Sequence, residues 1–316
     1  MIINPGFTEK ELIPRKVSSE WKTYRLAWEE FPKRDILGPV PIHLDLELTA
    51  RCQLRCPGCP SQKLDYGKGD MEVQLAENLL EEFGCRGGWA VKFNWRGEPT
   101  LHHSLVHLVK KAGDTGIIDR MLNTNGVLMD GDLSKKMILA GTTTVAWSID
   151  STDDVTYARL RPGAQLEQVL DNLDSFLQWK DLLDSDVYVR VQRIAYPDVI
   201  PAEPFEDFVE FFEKNYPGVN SVAENHYKEK SLEGDTRFPS KPCAQPWQRL
   251  VVSYDGKVGP CCEMNRFRAS LGNAYKSTIN EMWTSDSMEF LRQCHRDNQQ
   301  NSLEACRRCS ATKVFG

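Results

Sequence analysis

The stretch Cys52-Gln53-Leu54-Arg55-Cys56-Pro57-Gly58-Cys59 places three thiols within eight residues, spaced Cys-x3-Cys-x2-Cys. Thiolates held this close on one loop suit a soft metal. The spacing permits zinc with water as fourth ligand, although structural zinc sites usually gather their ligands as two separate pairs. It is read here in favour of a [4Fe–4S] cluster, which normally takes four thiolates. Three protein ligands leave one iron open, and an open iron binds a small molecule, so such a site is reactive rather than structural. A second set follows near the C-terminus. Cys243 is followed 18 positions later by Cys261, and Cys306 and Cys309 form a Cys-x2-Cys pair. Four thiolates close one [4Fe–4S] cluster, and the same spacing permits a four-cysteine zinc site. Cys85, Cys262 and Cys294 are left over. A buried free cysteine ordinarily packs as a small hydrophobe, and Cys262 is also placed to exchange with Cys261. The six histidines show no metal spacing, and His102-His103 reads as a helix start.

The chain that must position these thiols has 316 residues, 41% hydrophobic and 27% charged, with a formal net charge of −6. That is an ordinary composition for a soluble globular protein of one large domain, with or without an appendage. No Lys/Arg-rich block marks a nucleic-acid footprint. No apolar run reaches membrane-span length, and the N-terminus lacks the charged and apolar regions of a signal peptide. The expectation is a cytoplasmic protein without membrane or nucleic-acid partners. There, clustered cysteines bind metal or do redox chemistry rather than form a disulfide framework.

Residues 1–40 read as an N-terminal extension with a short helix in EWKTYRLAWEEF. From residue 41 strands and helices alternate. PIHLDLELT has the apolar–polar alternation of a half-buried strand. MEVQLAENLLEEFG is a helix stopped by glycine. AVKFNW, DRMLNTN, TTTVAWSID and DVYVRVQRI are further strands separated by helical stretches, and SVAENHYK is a sixth strand. This rhythm implies parallel strands with crossover helices. It fits both an open doubly wound sheet and an incomplete α/β barrel, and in either the ligand sits at the C-terminal ends of the strands, where the first thiol loop lies. The polar, turn-rich segment 229–242 breaks the rhythm and divides residues 41–235 from a C-terminal unit, 236–316. That unit reads as a hairpin turning at Asp255-Gly256, a single helix over TINEMWTSDSMEFLRQC, and the final Cys-x2-Cys.

A Cys-x3-Cys-x2-Cys loop directly after the first strand resembles the radical S-adenosylmethionine (SAM) enzymes, and the likeness extends beyond the loop. NWRGEPT resembles the family's Gly-Gly-Glu-Pro segment, with Gly97 and Glu98 matching and Arg96 in place of the usual first glycine. By position, Asn125 of NTNG and Ser148 of SID resemble family contacts to SAM. YARLRPG resembles the segment whose arginine pairs with the SAM carboxylate, a match a guanidinium makes in a bidentate way; Arg161 is chosen over Arg159. The residue before the last cysteine is often aromatic in the family and is Gly58 here, which leaves any adenine contact at that point to the backbone. Cys243, Cys261, Cys306 and Cys309 resemble the short form of the SPASM domain, called twitch, with its single auxiliary cluster.

The resemblance implies a partial (β/α)6 barrel with a small C-terminal β-hairpin and helix domain, SAM, and two [4Fe–4S] clusters, the SAM-cleaving one on Cys52, Cys56 and Cys59. An electron donor such as flavodoxin or ferredoxin is implied with them. One electron cleaves SAM to methionine and a 5′-deoxyadenosyl radical, which abstracts a hydrogen atom. The architectural relatives with one auxiliary cluster act on aminocyclitols and sugars. Dehydrogenation or epimerisation of a carbohydrate-like small molecule is therefore the leading reading, with Cys294 as the candidate hydrogen donor of an epimerase and Arg190 or Arg193 as candidate helpers of a dehydrogenase. Two alternatives stand beside it: a maturase of ribosomal peptides, for which 40 residues ahead of the barrel are few, and a zinc-stabilised binding protein without catalysis.

Overall fold

The computed structural model describes residues 18–63, 67–195, 200, 202–226, 242–262, 270–307 and 309. Most of the polar break at 229–242 and the first 17 residues of the N-terminal extension lie outside them. The strands are β1 (His43–Leu46), β2 (Ala90–Lys92), β3 (Asp119–Thr124), β4 (Thr144–Ser148), β5 (Tyr188–Ala195), β6 (Ser221–His226), β7 (Arg249–Val252), β8 (Lys257–Gly259) and β9 (Gly272–Asn273). They form one sheet in the order β6-β5-β4-β3-β2-β1-β7-β8-β9. Strands β1 to β6 pair in parallel with their sequence neighbours, and the sheet ends at β6 and β9 without closing, as a partial barrel.

The helices are α1 (Ser19–Arg34), α2 (Pro60–Lys63), α3 (Val73–Cys85), α4 (Leu105–Asp114), α5 (Gly131–Leu139), α6 (Asp154–Leu160), α7 (Leu166–Leu182), α8 (Phe205–Asn215), α9 (Gln245–Gln248), α10 (Ile279–Trp283), α11 (Asp286–Arg296) and α12 (Glu304–Arg307). Their apolar stripes face the sheet. In α4, Leu105, Leu108, Val109 and Ala112 recur at helical spacing and are buried. They join Leu44, Leu46 and Leu48 of the first strand region in the main core. Alternation then turns His43, Asp45 and Glu47 to the opposite, inner face. Register carries that face across the sheet: Asp45 stands opposite Lys92, Asn123 opposite Ala146, and Ser148 opposite Gln192.

Four features differ from the sequence expectation. First, β1 is buried on both faces rather than half-buried. Its inner carboxylates are neutralised by distant cations: Lys92 Nζ lies 2.9 Å and Arg249 Nη1 3.0 Å from Asp45, and Arg96 grips both oxygens of Glu47 at 2.7 and 2.6 Å. Second, the C-terminal hairpin does not stand apart from the barrel sheet. β7 pairs with β1 in parallel and covers an edge that would otherwise present unpaired backbone groups. The turn at Asp255-Gly256 is as expected, with Gly256 at a φ of 79°. Third, the single C-terminal helix is two. Thr278 caps α10 in a capping box, Thr284 ends it, and the Ser285 hydroxyl accepts the Met288 N–H to start α11. Fourth, α1 is longer than expected. It packs Tyr24 and Ala27 against Ile42 and Ala90, where β1 and β2 begin, and so covers the end of the barrel opposite the thiol loop.

Candidate functional site

The first thiol loop leaves β1 against three backbone clamps. Ala50 N–H donates to Gly69 O at 2.9 Å, Glu98 N–H to Arg51 O at 2.9 Å, and Arg55 N–H to Pro162 O at 3.1 Å. The middle clamp requires glycine: a Cβ on Gly97 would sit 2.0 Å from the Thr49 carbonyl oxygen. A turn closed by Cys59 N–H donating to Cys56 O at 3.0 Å gathers the last two thiols. The loop is thus held between the segments that follow β2 and α6.

Around it stand the side chains the sequence singled out. Glu98 is buried, and its carboxylate accepts from Thr100 Oγ1 at 2.7 Å, Thr124 Oγ1 at 2.8 Å and Asn125 N–H at 2.8 Å. Burial raises its pKa against these bonds. Glu98 therefore orders the end of β3. Asn125 Oδ1 accepts from Gln53 Nε2 at 3.1 Å, and Asn125 Nδ2 approaches Cys52 Sγ at 3.8 Å, linking that strand end to the loop. Arg161 Nε donates to buried Asp150 at 2.6 Å. Burial opposes the guanidinium charge, but Asp150 and Cys56 hold it above its ordinary value. Ser148 is half-buried on the inner face at the end of β4. Arg96, in the place of a glycine, is spent on Glu47 and stacks 4.0 Å over Trp95.

Burial pushes Cys52 up to about 11, with Glu98, Cys56 and Cys59 adding to the effect. It raises Cys56 as well, where Arg161 opposes and Cys59 assists. Three mutually close, part-buried thiols are a soft donor set that loses its protons to a metal. Tyr157 Oη is buried without a hydrogen-bond partner among the described residues, and Cys56, Arg161 and Asp150 act on it. The donor set and this orphaned hydroxyl fit a group seated on the three thiols.

Cys243, Cys306 and Cys309 converge from separate segments, with Cys262 beside Cys243, while Cys261 is placed only by its action on Arg249. Burial pushes Cys243 and Cys306 each up to about 12. Cys309 and Cys262 act on Cys243, and Cys309, Cys243 and Cys294 act on Cys306. Cys261 and Cys262 both act on Arg249. His295 lies between two of the thiol residues: Cys243 N–H donates to its Nδ1 at 3.0 Å, and its Nε2 is 3.6 Å from Cys306 Sγ. Trp95 Nε1 donates to Cys262 O at 2.9 Å, joining this region to the loop after β2. Cys294 is buried beside Cys306, and Cys85 is exposed at the end of α3. Among the described residues no two cysteines are joined in a disulfide. Among the described residues no group of three or more His, Cys, Asp and Glu side chains closes on a single metal ion. A four-iron cluster does not ask for that, since each of its irons takes one protein thiolate.

Arg193 does not face the inner side. It lies on the helix side of β5, where Nε donates to Glu224 at 2.7 Å and the guanidinium packs over Phe205 and Phe208. Gln53, Trp95, Tyr157 and His295 escaped the sequence reading. Trp95 had a signal in its place beside the Gly97-Glu98 motif.

Residues 46–180 match the Radical SAM superfamily, and residues 243–310 match SPASM, an iron–sulfur cluster-binding domain. A GTP 3′,8-cyclase of Lactiplantibacillus plantarum is 32% identical over 289 residues, which cover 76% of this chain and 86% of that one. The chain belongs to the radical SAM superfamily. A tungsten-containing aldehyde ferredoxin oxidoreductase cofactor-modifying protein of Pyrococcus furiosus is 28% identical over 301 residues, 79% of this chain and 83% of the relative. Two solved structures share the fold of this radical SAM enzyme. BtrN in complex with AdoMet and 2-DOIA superposes with a TM-score of 0.60 at 16% identity, over 89% of this chain and 97% of that one. Streptococcus suis SuiB bound to S-adenosylmethionine gives 0.65 at 14% identity, over 92% and 76%. The cofactors of the radical SAM enzyme are SAM and [4Fe–4S] clusters. The metal left open by the cysteine spacing is therefore iron, and the zinc-stabilised binding protein is set aside. Among the described residues no helix is long and apolar enough to cross a membrane.

Proposed function

We propose that this radical SAM enzyme is an oxidoreductase or epimerase that abstracts hydrogen from a carbohydrate-like or aminocyclitol substrate. The observation that carries this reading is the inner face at the C-terminal strand ends. There Asn123, Ser148, Gln192 and Asn225 present neutral hydrogen-bonding side chains, with Arg190 one level below Gln192. Such a face suits hydroxyl groups. The fold shared with BtrN, a structure that contains 2-DOIA, supports it.

In this reading Cys52, Cys56 and Cys59 hold the SAM-cleaving cluster, and Cys243, Cys261, Cys306 and Cys309 hold the auxiliary one. When bound, the first cluster supplies the electron that cleaves SAM to a 5′-deoxyadenosyl radical. With SAM bound, Gly97 would lie toward its amino group and Arg161, braced by Asp150, would receive its carboxylate, while Glu98 fixes Asn125 and Ser148 would add a hydroxyl. Residues of the inner face orient one C–H bond toward the radical and limit water. A flavodoxin or ferredoxin in the cytoplasm delivers the electron.

A peptide substrate is the second reading. Its support is the fold overlap with SuiB, which has also been solved with its precursor peptide SuiA. The test is anaerobic turnover of the reconstituted enzyme with SAM, reductant and candidate sugars or aminocyclitols, followed by mass analysis. A loss of two hydrogens marks dehydrogenation, and an unchanged mass with inverted configuration marks epimerisation. SAM cleavage coupled to peptides alone would overturn the proposal.

A further inference from the structure

We propose that His295 is a positioning residue of the auxiliary cluster: its Nε2–H donates an N–H···S hydrogen bond to Cys306 and raises the reduction potential of that cluster. The inference rests on reading Cys243, Cys261, Cys306 and Cys309 as the ligands.

The tautomer follows from the geometry. His295 is buried on α11 and only 2% exposed. Its Nδ1 receives the backbone N–H of Cys243 at 3.0 Å. A ring nitrogen that accepts an N–H carries a lone pair, so in the neutral imidazole the proton sits on Nε2. That nitrogen lies 3.6 Å from Cys306 Sγ, a hydrogen-bond length for an atom as large as sulfur. The ring is therefore a donor to the thiolate. It is not an iron ligand, because the Nε2 lone pair is replaced by a proton and the Nδ1 lone pair is engaged.

One imidazole thus spans the backbone of one ligand residue and the sulfur of another. Hydrogen bonds to cluster sulfurs are among the main controls on iron–sulfur potentials. A donor stabilises the reduced cluster more than the oxidised one, because reduction adds negative charge to the sulfurs. An auxiliary cluster tuned upward accepts an electron more readily, as a dehydrogenation would require of it.

The experiment uses the full chain carrying Cys52→Ala, Cys56→Ala and Cys59→Ala, reconstituted with iron and sulfide, so that the auxiliary cluster is observed alone. Its midpoint potential is read by redox titration with EPR detection, with His295 intact and as His295→Leu and His295→Gln. His295→Leu is expected to keep its iron and move to a more negative potential. The expected shift is about tenfold in the oxidised-to-reduced ratio, about 59 mV for one electron. His295→Gln retains an N–H donor and should fall between the two. An unchanged midpoint in iron-replete His295→Leu would overturn the inference. Pulsed EPR on protein labelled with 15N-histidine needs no substitution at residue 295. A weak nitrogen coupling supports the hydrogen bond, and a strong one, as from an iron-bound nitrogen, overturns it. Iron-free protein in the triple-alanine background with His295 intact would defeat the ligand reading itself, and the inference with it.

Discussion

Cys52, Cys56 and Cys59 sit on a single loop pinned by backbone hydrogen bonds to Gly69, Glu98 and Pro162, whereas Cys243, Cys306 and Cys309 meet only because distant segments fold together. The first site borrows its order from the strand ends. The second draws on α11, whose His295 ties Cys243 to Cys306. Metal binding contributes little to folding where the ligands are already held, and much where they are not. The same group can therefore be a cofactor at one end of a chain and a structural element at the other.

The largest effect should come from removing the three loop thiols together. Cys52→Ala with Cys56→Ala and Cys59→Ala is expected to abolish 5′-deoxyadenosine formation, measured by chromatography, while the barrel stays folded and the auxiliary iron remains. Loss of all iron would break the contrast between the sites.

Cys306→Ala tests the other half. It should lose the auxiliary iron and speed amide exchange across residues 243–309, because binding there supplies folding energy. Unchanged exchange protection would show that the C-terminal unit stands without metal.

Asp45→Asn attacks the frame both regions share. Removing this buried carboxylate leaves the part-buried Lys92 and Arg249 charges uncompensated and should cost about 3–5 kcal/mol in chemical denaturation. Burial works to raise the Asp45 pKa, but Lys92, Arg249 and His43 together hold it well below the ordinary carboxylate range. Its contribution is thus complete above the unfolded value, near pH 3.9, and is lost as pH falls through the lower folded value. The variant should lack that part of the acid limb.

Gly97→Ala sharpens the view that the first loop is preorganised. The collision with Thr49 O should shift the loop and slow SAM cleavage by about 100-fold, with global stability little changed. A wild-type rate would show that the close approach is not needed. The smallest effect is expected of Cys294→Ala, which should leave 5′-deoxyadenosine formation unchanged. If abstraction continues while the inverted product disappears, Cys294 is the hydrogen donor of an epimerase.

The contrast also governs what the sequence could show. The loop was legible because its ligands are neighbours in the chain and the motifs NWRGEPT and NTNG fall at consecutive strand ends. The burial of β1 was not: HLDLEL has the alternation of a half-solvated strand, and the cations that pair its inner carboxylates, Lys92, Arg96 and Arg249, lie outside it. The break at Thr284-Ser285 was present as a capping signal but was overridden by the apolar spacing on either side. His295 carried no signal, since its partners lie 52 and 11 residues away at no recognisable spacing and a lone histidine matches no metal motif. Arg193 was misplaced by one step of strand alternation, which local sequence near a strand end does not fix.

The pairing of β7 with β1 sets a schedule for synthesis. Asp45 and Arg249 are 204 positions apart. At roughly 5–20 residues per second, a ribosome takes on the order of 10–40 s to travel between them. Through that interval the nascent barrel has a raw flank beside β1, an Asp45 whose Arg249 partner is still missing, and a cysteine loop already emerged. Until β7 docks, that flank of the nascent barrel stays open to pairing with other strand edges.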